Sequence, residues 1–144
     1  MAELEAKRII NGTFGEAWLD DAKVSETSGL EANIEINKEE ISLPRQLATD
    51  TKMTGWKGSG TITLHKVSSR MAKAMQTMLK EGKDLRFTII SKLADPDSYG
   101  AERVAIKNVS FDSLTLANWE VNTLGSVEHP FTFTDYQFLD EIAG

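Results

Sequence analysis

GLEANIEIN, residues 29–37, decides the fold. Leu30, Ala32, Ile34 and Ile36 alternate with Glu31, Asn33, Glu35 and Asn37. A period of two sends successive side chains to opposite faces, so the stretch predicts a strand with one apolar and one wet face. After Lys38 the apolar positions become Ile41 and Leu43. The change of parity predicts a bulge or a bend.

Working outward, GTITLHK at 60–66 alternates in the same way, with Ile62 and Leu64 on one face. Shorter strands are expected over 14–19 and 23–26, with an Asp20-Asp21 turn between them. Further strands are expected over 85–92, 103–111, 114–121 and 127–138. The parity switches within 103–111 and 127–138 suggest strands that pass from one packed sheet to another. Met71, Met75, Met78 and Leu79 recur at helical spacing after Ser68 and Ser69, and Gly82 follows. That pattern predicts one amphipathic helix over 69–81, capped by serine and stopped by glycine. Residues 44–57, PRQLATDTKMTGWK, have no period and read as one long loop, a feature that in small domains tends to be functional. The expected fold is mainly β with one α-helix, in two packed antiparallel sheets forming a sandwich or barrel, as a single domain over 1–144.

The chain has 144 residues, 40% of them hydrophobic, and no cysteine. That is enough for a core without disulfides and leaves no thiolate metal site. No stretch approaches the ~20 apolar residues of a membrane helix, and the first fifteen residues lack the apolar run of a signal peptide. A net charge of −6 argues against a nucleic-acid binder. The charge is uneven: residues 1–57 carry seven basic and eleven acidic groups, 58–92 seven and two, and 93–144 two and nine. A basic middle between acidic ends allows complementarity within the fold or between neighbouring copies.

Motifs for chemistry are weak. DPDSYG at 95–100 resembles the front of an EF-hand loop, but its twelfth position is Ile106, so a rigid turn is the better reading. Gly55, Gly58 and Gly60 lead into a strand, not the helix that a phosphate cradle needs. His65 and His129 show no metal spacing and read as surface or interface histidines. The methionine stripe reads as core. Trp56, in the aperiodic loop, is a candidate partner contact. No catalytic constellation is recognisable, so no enzyme activity and no cofactor or metal are expected.

NGTFGEAWLD (11–20), TDTKMTGWKGSGTITLHKVSSRM (49–71), DPDSYGAERVAIKNVSFDSLTLANWEV (95–121) and PFTFTDYQFLD (130–140) together resemble the tail tube proteins of PBSX-like prophages and related contractile bacteriocins. The resemblance implies a fold like that of the type VI secretion tube protein. It implies six-membered rings stacked inside a contractile sheath, with no catalytic residues. The expected partners are then further copies of the chain, a tail sheath protein, and baseplate and tape-measure proteins. DNA would be only passing cargo, and no membrane is involved. The expected location is a virion tail or tail-like particle assembled in the bacterial cytoplasm. The 44–57 loop would reach a neighbouring subunit and one sheet would line the lumen. Candidate inter-subunit residues are Leu47, Asp50, Met53 and Trp56 on the loop, and Arg70, Lys73 and Lys80 on the helix. The alternatives are a monomeric small-molecule-binding β-barrel or a type VI secretion-like tube protein.

Overall fold

The computed structural model describes residues 5–142; the ends of the expected 1–144 domain lie outside the described residues. Its elements are β1 (Gly15–Leu19), β2 (Ala22–Lys23), β3 (Thr27–Ile41), β4 (Asp50–His65), α1 (Arg70–Glu81), β5 (Phe87–Leu93), β6 (Glu102–Phe111), β7 (Ser126–Phe133) and β8 (Asp135–Asp140). Every strand pair is antiparallel. One sheet runs β2-β1-β5-β6 with β8 on the other side of β6, and a second runs β6-β7-β4-β3. β6 serves both. Its first part pairs with β5 and β8, and Ser110 and Phe111 pair with β7. The crossing follows a bulge near Asn108, whose φ is 57°. Ile106, Val109 and Phe111 are all buried across that irregularity, which accounts for the change of parity seen in the sequence.

The core between the sheets is aromatic. Phe131, Ile89, Val109 and Met75 are fully enclosed, with Phe87, Phe111 and Phe133 beside them. The rings meet edge-on or tilted at 5.4–6.2 Å between centroids, the arrangement that aromatic quadrupoles favour. Gly58 and Gly60 exist for these rings. A Cβ at Gly58 would stand 2.6 Å from Phe133, and one at Gly60 would collide with Phe131 and the backbone oxygen of Glu31. α1 closes the core with Met71 and Met75. Ser69 is its N-cap residue without a side-chain cap bond, and Gly82 ends it at φ 71°, a left-handed turn that glycine adopts without strain.

Four expectations change. β4 starts at Asp50, so the expected 44–57 loop narrows to the connection at 42–49. Residues 50–57 are held by backbone bonds to β3, which need no apolar alternation. Residues 114–121, expected as a strand, form a coil. The last long strand is two, β7 and β8, parted at Thr134. The apolar face of β3 is also not buried: beyond Leu30 every residue of the strand is exposed.

Candidate assembly surfaces

β3 and β4 pair from Thr27↔Leu64 to Ile41↔Asp50, whereas β7 covers β4 only from Gly58 to His65. Residues 35–57 therefore leave the body as a two-stranded arm. A register shift between Asn37 and Lys38 marks it. Thr54 is the extra residue there, and its hydroxyl donates to the Asn37 carbonyl at 3.2 Å. Bulges of this kind bend and twist a ribbon. Ile34 at the root of the arm, and Ile36, Ile41, Leu43, Leu47 and Met53 on the arm and its tip, are all exposed, Leu47 completely.

The expected contact residues divide. Leu47 and Met53 stand free. Asp50 spends one carboxylate oxygen on the amide of Thr51 at 2.7 Å. Trp56 is not a loose loop residue. It is half-buried at the root of the arm, 6.2 Å from both Phe133 and Tyr136. Arg70 is also engaged within its own chain: its Nε donates to Glu26 Oε1 at 2.8 Å, and Glu26 is 9% exposed. Burial, the largest single influence, pushes the Glu26 carboxyl up, but the Arg70 hydrogen bond, a backbone hydrogen bond and the Arg70 charge together hold the group below its ordinary value. Lys73 and Lys80 are exposed on the outer face of α1.

Beside the arm lies an open groove of about 400 Å³ between β3 and β8. Ile34, Val104, Phe133, Tyr136 and Phe138 line it. At the far end of β6 and β7, the coil exposes Leu116, Trp119, Val121 and Leu124. The strand expected over 114–121 did not reveal that Leu116, Trp119 and Val121 are uncovered.

The motifs weighed for chemistry are built as structure. Asp95 uses one carboxylate oxygen for the Asn11 amide and the other for the Asp97 amide, at 2.8 and 2.9 Å, bonds that make a rigid turn. His65 is exposed but His129, expected at the surface or an interface, is buried against Phe111 within the subunit. Its Nδ1 has no partner, and burial together with Lys66 holds its pKa below the ordinary value. A cavity of about 30 Å³ adjoins it under the start of α1, room for one water. Among the described residues no helix is long and apolar enough to cross a membrane.

Residues 2–140 match the family described as "Phage tail tube protein". The chain is 35% identical over 142 residues to the phage-like element PBSX protein XkdM of Bacillus subtilis strain 168, covering 97% of each. A chain of the anti-feeding prophage tube-terminating cap superimposes with a TM-score of 0.75 at 10% identity, covering 97% of both. A chain of the extended sheath–tube complex of the PVC extracellular contractile injection system gives 0.72 at 9% identity, covering 92% of this chain and 93% of that one. At these identities the structures share the fold.

Proposed function

This chain belongs to the phage tail tube protein family, and from that premise we propose that its copies close into six-membered rings that stack head to tail. The tail tube role is structural; the ring and the stack are the arrangement that its open surfaces support best. The observation that carries the reading is the arm. A 15-residue edge strand with its apolar face uncovered is a liability in a monomer. Closed assembly covers such edges, and head-to-tail contact of identical subunits generates rings or stacks. The carrier alternative needs an internal pocket, and Phe111, Phe131, Phe133 and Met75 fill the space where one would lie.

The role is non-catalytic. The partners are further copies, a tail sheath protein outside the tube, and baseplate and tape-measure proteins at its start. DNA, where a particle carries it, is passing cargo. The protein belongs to a virion tail or tail-like particle assembled in the bacterial cytoplasm. The outer arm contacts a neighbouring subunit through Leu47 at the tip, Asp50 at the start of β4 and Met53 behind it. Trp56 and Arg70 act by holding the arm and α1 in place.

Sedimentation and electron microscopy of the purified chain across a concentration series, alone and with baseplate and tape-measure partners, test this. Six-fold rings and tubes are expected for the wild type. Leu47→Asp with Met53→Asp should abolish them without lowering the subunit's melting temperature. A strict monomer under every condition overturns the reading.

A further inference from the structure

We propose that the coil between β6 and β7, residues 113–125, is a plug that seats in the apolar β3/β8 groove of a second copy. The inference rests on the tube reading and names the contact that joins the subunits. The coil is presented by its anchors. At one end the amide of Asp112 donates to the Pro130 carbonyl at 2.9 Å, and at the other the amide of Lys66 donates to the Gly125 carbonyl at 2.8 Å. Leu114 roots it by packing against the core. Between these points Leu116, Trp119, Val121 and Leu124 are 81%, 82%, 75% and 92% exposed. Among the described residues nothing covers these four apolar side chains.

In the folded subunit the coil does not occupy this groove. The coil leaves β6 after Phe111 and enters β7 at Ser126, whereas the groove is lined by Val104 and Ile106 in the first half of β6 and by Phe133 at the end of β7. No residue of 113–125 lines it, so it is open to the coil of a second copy.

The occupant suits the site. The groove offers Tyr136 and Phe138 in edge-to-face contact, 6.2 Å between centroids, with one flank open. A tryptophan entering there continues the aromatic row that begins at Trp56. Four large apolar side chains supply a large share of the ~800 Å² that each partner contributes to a standard interface. Plug and groove lie on different surfaces of one subunit, so the contact is heterologous and repeats from copy to copy.

The absence of cysteine makes the test clean. Trp119→Cys and Phe138→Cys are placed on separate full-length chains, mixed, oxidised and run on a non-reducing gel, with electron microscopy of the same samples. A dimer band from the mixture, absent from either variant alone, is expected. A chain carrying both substitutions should give a ladder. Tubes without the cross-link overturn the inference and leave the tube reading standing; no tubes under any condition overturn both. Trp119→Asp should raise the concentration needed for assembly at least tenfold with an unchanged melting temperature. Assembly at the wild-type concentration would also overturn the inference.

Discussion

The two halves of β4 have different lives. Gly58–His65 is paired on both sides, and Ile62 and Leu64 point into the core. Asp50–Lys57 is paired with β3 alone, and its side chains are exposed up to Gly55. Backbone geometry is the same through both. What differs is whether this chain supplies the surface that a side chain packs against. The inner half therefore sets the stability of the subunit, while the outer half contributes little to it and is available to neighbours. Changes in the inner region should move the unfolding free energy, and changes in the outer surfaces should move assembly at constant unfolding free energy.

The sharpest break of that contrast comes from Phe131, which pairs with Gly60 in the inner region and is fully buried. Phe131→Ala should cost about 3–5 kcal/mol, through lost burial and the cavity left behind. Denaturant unfolding of the subunit measures it. A loss below ~1 kcal/mol would mean that the ring core is not what holds the subunit.

The same contrast explains what the sequence could disclose. Alternation at 29–37, the methionine stripe and Gly82 are local signals, and β3 and α1 stand where they point. The bulge at Asn108 was legible as a parity change because side chains on both sides of it must still reach the core; the irregularity at Asn37/Lys38 puts its extra residue, Thr54, on β4 and so does not account for the parity change after Lys38. Residues 50–57 read as a loop because a strand with no buried face carries no alternation. Residues 114–121 read as a strand because LTLANWEV is rich in apolar residues, and its parity breaks between Leu116 and Ala117; such a stretch says that apolar side chains need cover, not which chain supplies it. The Glu26–Arg70 pair spans 44 residues of sequence, and no periodicity announces a partner at that distance. The burial of His129, by contrast, was legible: it shares the parity of Val127, Phe131 and Phe133, and all four are buried.

A second test lies at the inner end of β7, where His129 is 5% exposed and neutral, beside Lys66, with the Glu26–Arg70 pair across the small cavity and His65 exposed at its mouth. The sign follows from which state binds the proton. His129 has a lowered pKa when folded, so the unfolded chain takes up the proton first as the pH falls below ~6.5. Its contribution is present above that value and is lost as the pH falls toward the folded pKa. Glu26 adds a loss of the same sign lower down, below the ordinary carboxylate range. Linkage limits each group to about 1.4 kcal/mol per pH unit. Melting curves between pH 7.5 and 5 should slope downward for the wild type, and His129→Leu should flatten them. Because Nδ1 has no partner to lose, the variant should be at least as stable as wild type at neutral pH. An unchanged slope would show that the proton goes elsewhere.

The smallest effect on the subunit, and the finest probe of the outer surface, is at Lys73 and Lys80. Both are exposed on α1, on the side away from the buried Met71 and Met75. Lys80 also sits in the last turn, where a cation suits the helix dipole. Reversing both to Glu should change the unfolding free energy by no more than about 0.5 kcal/mol at Lys73, as for most surface positions. At Lys80 the lost dipole interaction adds up to ~1 kcal/mol at low salt. Assembly should respond more strongly. The basic stretch 58–92 and the acidic stretch 93–144 belong to one chain, so identical subunits or an attached sheath can bring unlike charges together. The double reversal should therefore weaken ring stacking or sheath attachment at 50 mM salt and less so at 500 mM, where the Debye length falls to about 4 Å. Gel-shift assays should meanwhile show weak DNA binding by the wild type at physiological salt. Tight binding that the reversal abolished would instead assign these lysines to phosphate contacts, whose affinity falls steeply with salt. Equal assembly of the two proteins at low salt would remove α1 from the assembly surfaces and leave the arm and the coil to carry them.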